Sequence, residues 1–223
     1  CARSDWPPAA SIRTALNVMT SMPMSRWAIR SAALAAIGVV TSLGVWYALS
    51  FLPHLGEIRA ASARGNAAAS KVEKVLYPLA VAGESNDRIR SWAARQAYWS
   101  LVFEESGTNM LGWHANNLLW NVAVRVHLTE QETFGLWVDC AISRCGYGLT
   151  EASRKYFGKE LSKLSTRELA GLVAAVRSPA RYGPGSERGE ERATEILERA
   201  WSHNPAFNAD SQQRRFAPLL LPG

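Results

Sequence analysis

The 223 residues lack the short motifs that usually announce a reaction: there is no GxGxxG, no phosphate loop, no HExxH and no GxSxG. Their absence removes the usual sequence warrants for nucleotide binding, zinc proteolysis and serine hydrolysis. Cysteine is scarce, at three residues. No second cysteine pair stands at metal-ligand spacing, so a metal knuckle has little support. Cys140 and Cys145 bracket Ala-Ile-Ser-Arg. In an exported compartment they either close a tight disulfide loop or remain two separate thiols. Alternating strand patterns, internal repeats and heptads are also missing, which leaves helices as the building material.

The most informative absence is local. From Ser31 to Pro53 the chain runs 23 residues without a formal charge, enough at about 1.5 Å per residue to cross roughly 30 Å of hydrocarbon. A core helix of that length would show a polar stripe, and a secretion signal would carry a clean cleavage site, for which only Ala61 to Gly65 comes close. A transmembrane helix is therefore expected. Arg26 and Arg30 precede the run, whereas Glu57 and Arg59 are the first charges after it. The positive-inside rule then puts the N-terminus in the cytoplasm and exports the C-terminal part. Cys1 resembles a lipidated cysteine, a second anchor that the span would make redundant, and Met22 and Met24 are the candidate translation starts.

The net charge is +6, of which residues 1–53 carry +3 and the remainder +3. That mild excess over the larger part excludes a concentrated nucleic-acid face and suits anionic lipid or a phosphorylated lipid substrate. The expected organisation is a flexible lead over 1–26, the span over 27–53, a helical connector over 54–87, a helical domain over 88–205 and a tail over 206–223. Within it, Asn86 or Asp87 caps a helix to about residue 103, a strongly apolar helix runs from Trp113 to His127, and Thr129 with Glu132 forms a capping box. Ser165 and Glu168 form another, with Leu164 and Leu169 at the staple positions, and Pro179 ends that helix.

Two features carry candidate chemistry. Glu84 follows the apolar Pro-Leu-Ala-Val-Ala-Gly, and reads either as a carboxylate at the mouth of a cleft or as a solvated turn residue. His114, Asn117, Asn121 and Arg125 recur at three- and four-residue intervals. This polar line on an apolar helix either faces water or borders a groove.

The segment GYGLTEASRKYFGKELSKLSTRELAGLVAAVRSPARYGP, with Trp137-Val138-Asp139 before it and Arg192 and Leu197 after it, resembles the glycosyltransferase domain of bacterial cell-wall polymerases. In layout it especially resembles the monofunctional peptidoglycan transglycosylases (glycosyltransferase family 51), with one membrane span and one lysozyme-like helical domain. The resemblance covers about 85 residues from Thr129 to roughly Ala200, with a fainter extension through Ser91, Gln96 and Leu101. It implies an all-α chain, a single N-terminal transmembrane helix followed by a lysozyme-like domain in the bacterial inner membrane, with that domain on the periplasmic side. It further implies a glycosyltransferase of peptidoglycan synthesis acting on a lipid-linked disaccharide, Glu84 being the catalytic base. Ser91 and Gln96 would position sugar or phosphate, while His114, Asn117, Arg125 and Lys155 would meet the substrate, with a divalent cation (Mg or Mn) on its pyrophosphate. Partners would be the lipid-linked precursor or a glycan strand, the bilayer and other cell-wall synthesis proteins.

Departures from the family pattern support an alternative, a catalytically inactive relative that binds glycan, lipid or a partner. Glu84 lacks its neighbouring aspartate, only six residues separate it from Ser91, and Asn117 and Gly135 stand where the family has glutamates.

Overall fold

The computed structural model describes residues 26–103, 109–142, 148–203 and 207, so the expected lead, most of the tail and Cys145 lie outside the described residues. It divides the chain into two units, residues 1–49 and 50–223. No strand occurs among the described residues, as the sequence pattern requires.

In the first unit, α1 (Arg26–Trp46) follows the uncharged run. It has no buried residue, and with its continuation is long and apolar enough to cross a membrane. Ser31 and Ser42 satisfy their hydroxyls on carbonyls one turn back, Trp27 O and Gly38 O. They therefore add little polarity to an apolar exterior. A single π-helical turn (Tyr47–Phe51) follows.

The second unit is an assembly of helices: α2 (Leu55–Ala69), α3 (Glu73–Glu84), α4 (Asn86–Tyr98), α5 (Met110–His127) and α6 (Glu130–Cys140), followed by α7 (Leu149–Phe157), α8 (Thr166–Arg177), the short α9 (Pro179–Tyr182) and α10 (Glu187–His203). The stretch expected to be a connector is part of the body. Ile58, Ala61, Gly65 and Ala69 of α2 and Val75, Leu76, Leu79 and Ala80 of α3 are buried.

The reason is a close crossing of α2 on α6. A Cβ at Gly65 would collide with the Gly135 carbonyl, and one at Gly135 with the Ser62 carbonyl and the Asn66 amide. Across the same contact the Ser62 hydroxyl donates to Glu132 O, and Arg64 pairs with Asp139 at 2.8 Å. Alanine-rich sequence that reads as a weakly hydrophobic linker is here selected for small size.

Both capping boxes form. The Thr129 hydroxyl accepts from Glu132 N while the Glu132 carboxylate accepts from Thr129 N, and Ser165 and Glu168 do the same for α8. Leu164 and Leu169 are 2% and 0% exposed, as a staple requires. Thus α8 enters the centre of the unit, with every residue from Leu169 to Val176 buried. The cap of α4 differs from expectation. Ser85, not Asn86 or Asp87, is the capping residue, at φ 63 and ψ 156 and with no side-chain cap bond. This dihedral combination belongs almost exclusively to glycine. It turns the chain sharply from α3 into α4, immediately after Glu84.

Candidate active site

A cleft of about 570 Å³ opens beside that turn. Helix α4 contributes Arg88, Ser91, Trp92 and Arg95, which a 3.6-residue period puts on one face. Helix α5 contributes Trp113, His114, Asn117, Leu118 and Asn121, while Val176 and Arg177 close the cleft from the end of α8. Glu84 lies on its wall. The structure therefore brings Glu84, Ser91, His114 and Asn117 together. Gln96, next to Arg95 but about 100° around α4, does not line the cleft.

Neither does Arg125, whose guanidinium donates to Asp87 at 3.2 Å near the start of α4. Lys155 is exposed on α7 and likewise stays outside the cleft lining. Cys140 is buried on α6; its proposed bond to Cys145 falls on an undescribed residue.

The carboxylate of Glu84 is not solvated. Its side chain is 12% exposed, and Oε1 accepts from Arg192 Nη2 at 3.0 Å, the Arg192 side chain being 11% exposed. The same guanidinium nitrogen donates to Gly83 O at 3.2 Å, and the group lies 5.3 Å from the centre of the Tyr182 ring. From the next turns of α10, Arg199 donates to Ala82 O at 3.2 Å. Two arginines thus serve the carbonyls that α3 leaves unpaired at its C-terminus, where a cation suits the helix dipole and a carboxylate does not. Arg192 offsets the unfavourable position of Glu84.

The remaining electrostatics are cationic. Arg88, Arg95 and Arg177 face one carboxylate across the cleft, and that carboxylate is already paired. Partial burial pulls the Arg95 guanidinium below its ordinary value, a direction that makes an adjacent anion more favourable. Its charge persists at neutral pH. Arg95 stacks over Trp92 at 4.0 Å, and the Trp92 indole N–H donates to Ala141 O at 2.7 Å, so the ring plane is fixed from behind.

On α5, Asn117 donates to Trp113 O at 3.1 Å. The buried Asn117 Oδ1 and Trp113 Nε1 have no hydrogen-bond partner among the described residues. An acceptor and a donor are thereby available to a bound polar molecule.

Sequence reasoning passed over Arg88, Arg95 and Arg177, although the recurrence of Arg88, Ser91 and Arg95 along α4 was visible. Charged residues at helical spacing usually mark a solvated face, so the pattern alone did not set them apart. No group of three or more metal-ligating His, Cys, Asp or Glu side chains occurs among the described residues. A single carboxylate held by an arginine is a poor cage for a hard divalent cation.

Residues 104–201 match the family model described as transglycosylase. The chain is also similar to penicillin-binding protein 1A of Pseudomonas aeruginosa, with 32% identity over 87 residues, or 38% of this chain. The chain spans 11% of that protein's length. No solved structure matches the chain. The matched segment supplies the α5 wall, the Val176–Arg177 end and Arg192. Glu84 and all of α4 precede it.

Proposed function

We propose that the chain is a membrane-anchored peptidoglycan glycosyltransferase-like protein that takes a lipid-linked disaccharide into the Glu84 cleft. The observation that carries this reading is the convergence of Glu84, three arginines and the polar ridge of α5 on one cleft. The family match of residues 104–201 supports the reaction class. The α1 span supports an anchor, and the arginines beside its flank fit an exported second unit.

In the reaction, an acceptor sugar hydroxyl attacks the anomeric carbon of the donor. A new C–O glycosidic bond forms as the bond from that carbon to the pyrophosphate oxygen breaks, and the electron pair leaves with the pyrophosphate. Glu84 takes the hydroxyl proton, and with Oε1 held by Arg192 the other carboxylate oxygen is the one that receives it. Arg88, Arg95 and Arg177 stabilise the charge that develops on the pyrophosphate. Trp92 and Trp113 offer apolar faces to a sugar ring, and Asn117 with Trp113 offers it the unmet acceptor and donor. The cleft residues do not fit a protein-held divalent cation, and the arginines perform the neutralisation that such an ion would provide.

A second reading is favoured by one observation, the buried ion pair between Glu84 and Arg192. A carboxylate committed to a guanidinium can serve a structural end, leaving a protein that binds the glycan precursor without turning it over. One gel separates the two. Detergent-solubilised full-length protein is incubated with labelled lipid-linked disaccharide, beside Glu84→Gln. Polymer from the parent and none from the variant supports catalysis. Retained binding with no product from either supports the scaffold, and equal product from both removes Glu84 from the mechanism.

A further inference from the structure

Helix α3 is apolar on more sides than the described residues cover. From Val75 to Gly83 it carries no charge, and Val75, Leu76, Leu79, Ala80 and Gly83 are buried. Tyr77, Val81 and Ala82 lie further around the helix and are only half-buried. A helix without a polar face is ordinarily enclosed on all sides. Here those three residues, with Ala200 of α10, line a groove of about 390 Å³ that the exposed Arg199 and His203 border.

Helix α10 gives the groove an acidic flank. Glu191, Glu195 and Glu198 recur at helical spacing and line a second depression of about 530 Å³, which Arg167 also borders. Arg199 pairs with Glu195 at 3.1 Å and so joins the two features. Glu191 and Glu198 are exposed and make no ion pair among the described residues. The surface therefore presents carboxylates followed by an apolar slot.

The chain supplies a segment with the complementary order. It leaves α10 at His203, on the groove itself, and the Phe207 side chain is 1% exposed, so the chain stays against the second unit past the end of α10. Beyond the described residues the sequence has Arg214-Arg215-Phe216 and then Pro218-Leu219-Leu220-Leu221. The stretch from Phe207 to Leu219 reaches at most about 40 Å, ample to turn back over one helix. So short a tether also gives the segment a high effective concentration at the groove.

We propose that residues 214–221 dock on the α3–α10 surface, with Arg214 and Arg215 against Glu191 and Glu198, and Leu219 to Leu221 in the slot lined by Tyr77, Val81 and Ala82. The seated segment covers the open side of α3. It lies against the wall whose Ala82 carbonyl Arg199 holds, two residues before Glu84, and so braces the end of α3 that carries the cleft carboxylate.

The test uses the full chain in detergent, with Cys1 and Cys145 changed to serine and a new cysteine pair joined by a short bismaleimide. Leu220→Cys is combined with Val81→Cys on the groove or with Ser202→Cys, an exposed control beside the chain exit. A segment that only diffuses about its tether meets Ser202, the nearer in sequence, at least as often. Intramolecular cross-linking should be several-fold faster to position 81 than to position 202, and should slow several-fold in Arg214→Glu/Arg215→Glu. An equal or slower rate at position 81 overturns the proposal. So does a rate that ignores the charge reversal, or a link from 81 to 220 found only between two chains, because a second copy then fills the groove. Ala82→Cys repeats the measurement if Val81→Cys loses its helical spectrum. The readout needs no substrate, so it stands or falls separately from glycan polymerisation.

Discussion

At the scale of single residues, the Glu84–Arg192 pair decides how the cleft behaves. Both side chains are nearly nine-tenths buried, so removing the cation strands a carboxylate in a poorly solvated site. Arg192→Met is expected to destabilise the fold by about 3–5 kcal/mol, read as a lowered denaturation midpoint with an unchanged slope. Glu84→Gln keeps an acceptor for Arg192 and should cost less than about 3 kcal/mol. Equal losses from the two changes would mean that the pair contributes geometry and no charge balance. Beside it, Ser85 holds a backbone conformation that suits glycine. Ser85→Gly should stabilise the fold by about 1 kcal/mol, and an unchanged or lower melting temperature would show that the turn carries no strain. Glu84 was legible in the sequence because a carboxylate after an apolar run is unusual. Its partner was not, since Arg192 lies 108 positions away and sits among other charges of an amphipathic helix.

At the scale of elements, local chemistry was the most readable level. The two capping boxes and the leucine staple form as spacing predicts, because a cap depends on residues three to five positions apart and on little else. Their pH response follows from Glu168. Burial raises its carboxyl, but hydrogen bonds from Lys159 and from the Ser165 backbone and hydroxyl outweigh burial and hold it below the usual carboxylate value. A lowered native value means that protonation is harder in the folded state. The stabilisation is present above the unfolded-state carboxylate value and fades as pH falls through the lower native one. Glu168→Gln should therefore narrow its stability deficit against the parent in acid, and a deficit independent of pH would assign the whole effect to packing.

Element packing was less legible. Gly135 occupies a place where the family pattern has a glutamate, and the sequence offers no reason for the change. The reason lies in α2, whose Ser62 and Asn66 leave no room for a Cβ. Gly135→Glu should fail to fold or lose several kcal/mol through overpacking, measured by chemical denaturation. Gly83 plays a similar part next to the site, where a Cβ would stand 2.7 Å from Val173 Cγ1. Gly83→Ala is expected to cost about 1–3 kcal/mol and to displace Glu84 with the end of α3.

At the scale of the whole molecule, the uncharged run and the absence of alternating patterns disclosed a helical protein with a candidate span. The division of the rest did not follow from composition. Residues 54–87 read as a connector because alanine dominates them, yet burial of Val72, Val75, Leu76 and Leu79 makes them core. Small residues contribute to a helix crossing by what they permit, which hydrophobicity does not measure. The cleft shares that limit. Its α5 ridge was visible as a polar line on an apolar helix, whereas its arginine wall required α4, α8 and the Ser85 turn to be assembled first.

The cationic cleft is most directly tested by equilibrium binding of a fluorescent lipid-linked pyrophosphoryl disaccharide to the full chain in nanodiscs, followed by anisotropy. Saturable binding that weakens at least about tenfold in Arg95→Ala/Arg177→Ala, and that falls with added salt, is the expected result. Undiminished affinity in that double variant, with its helical spectrum intact, would contradict a pyrophosphate site between α4, α5 and α8.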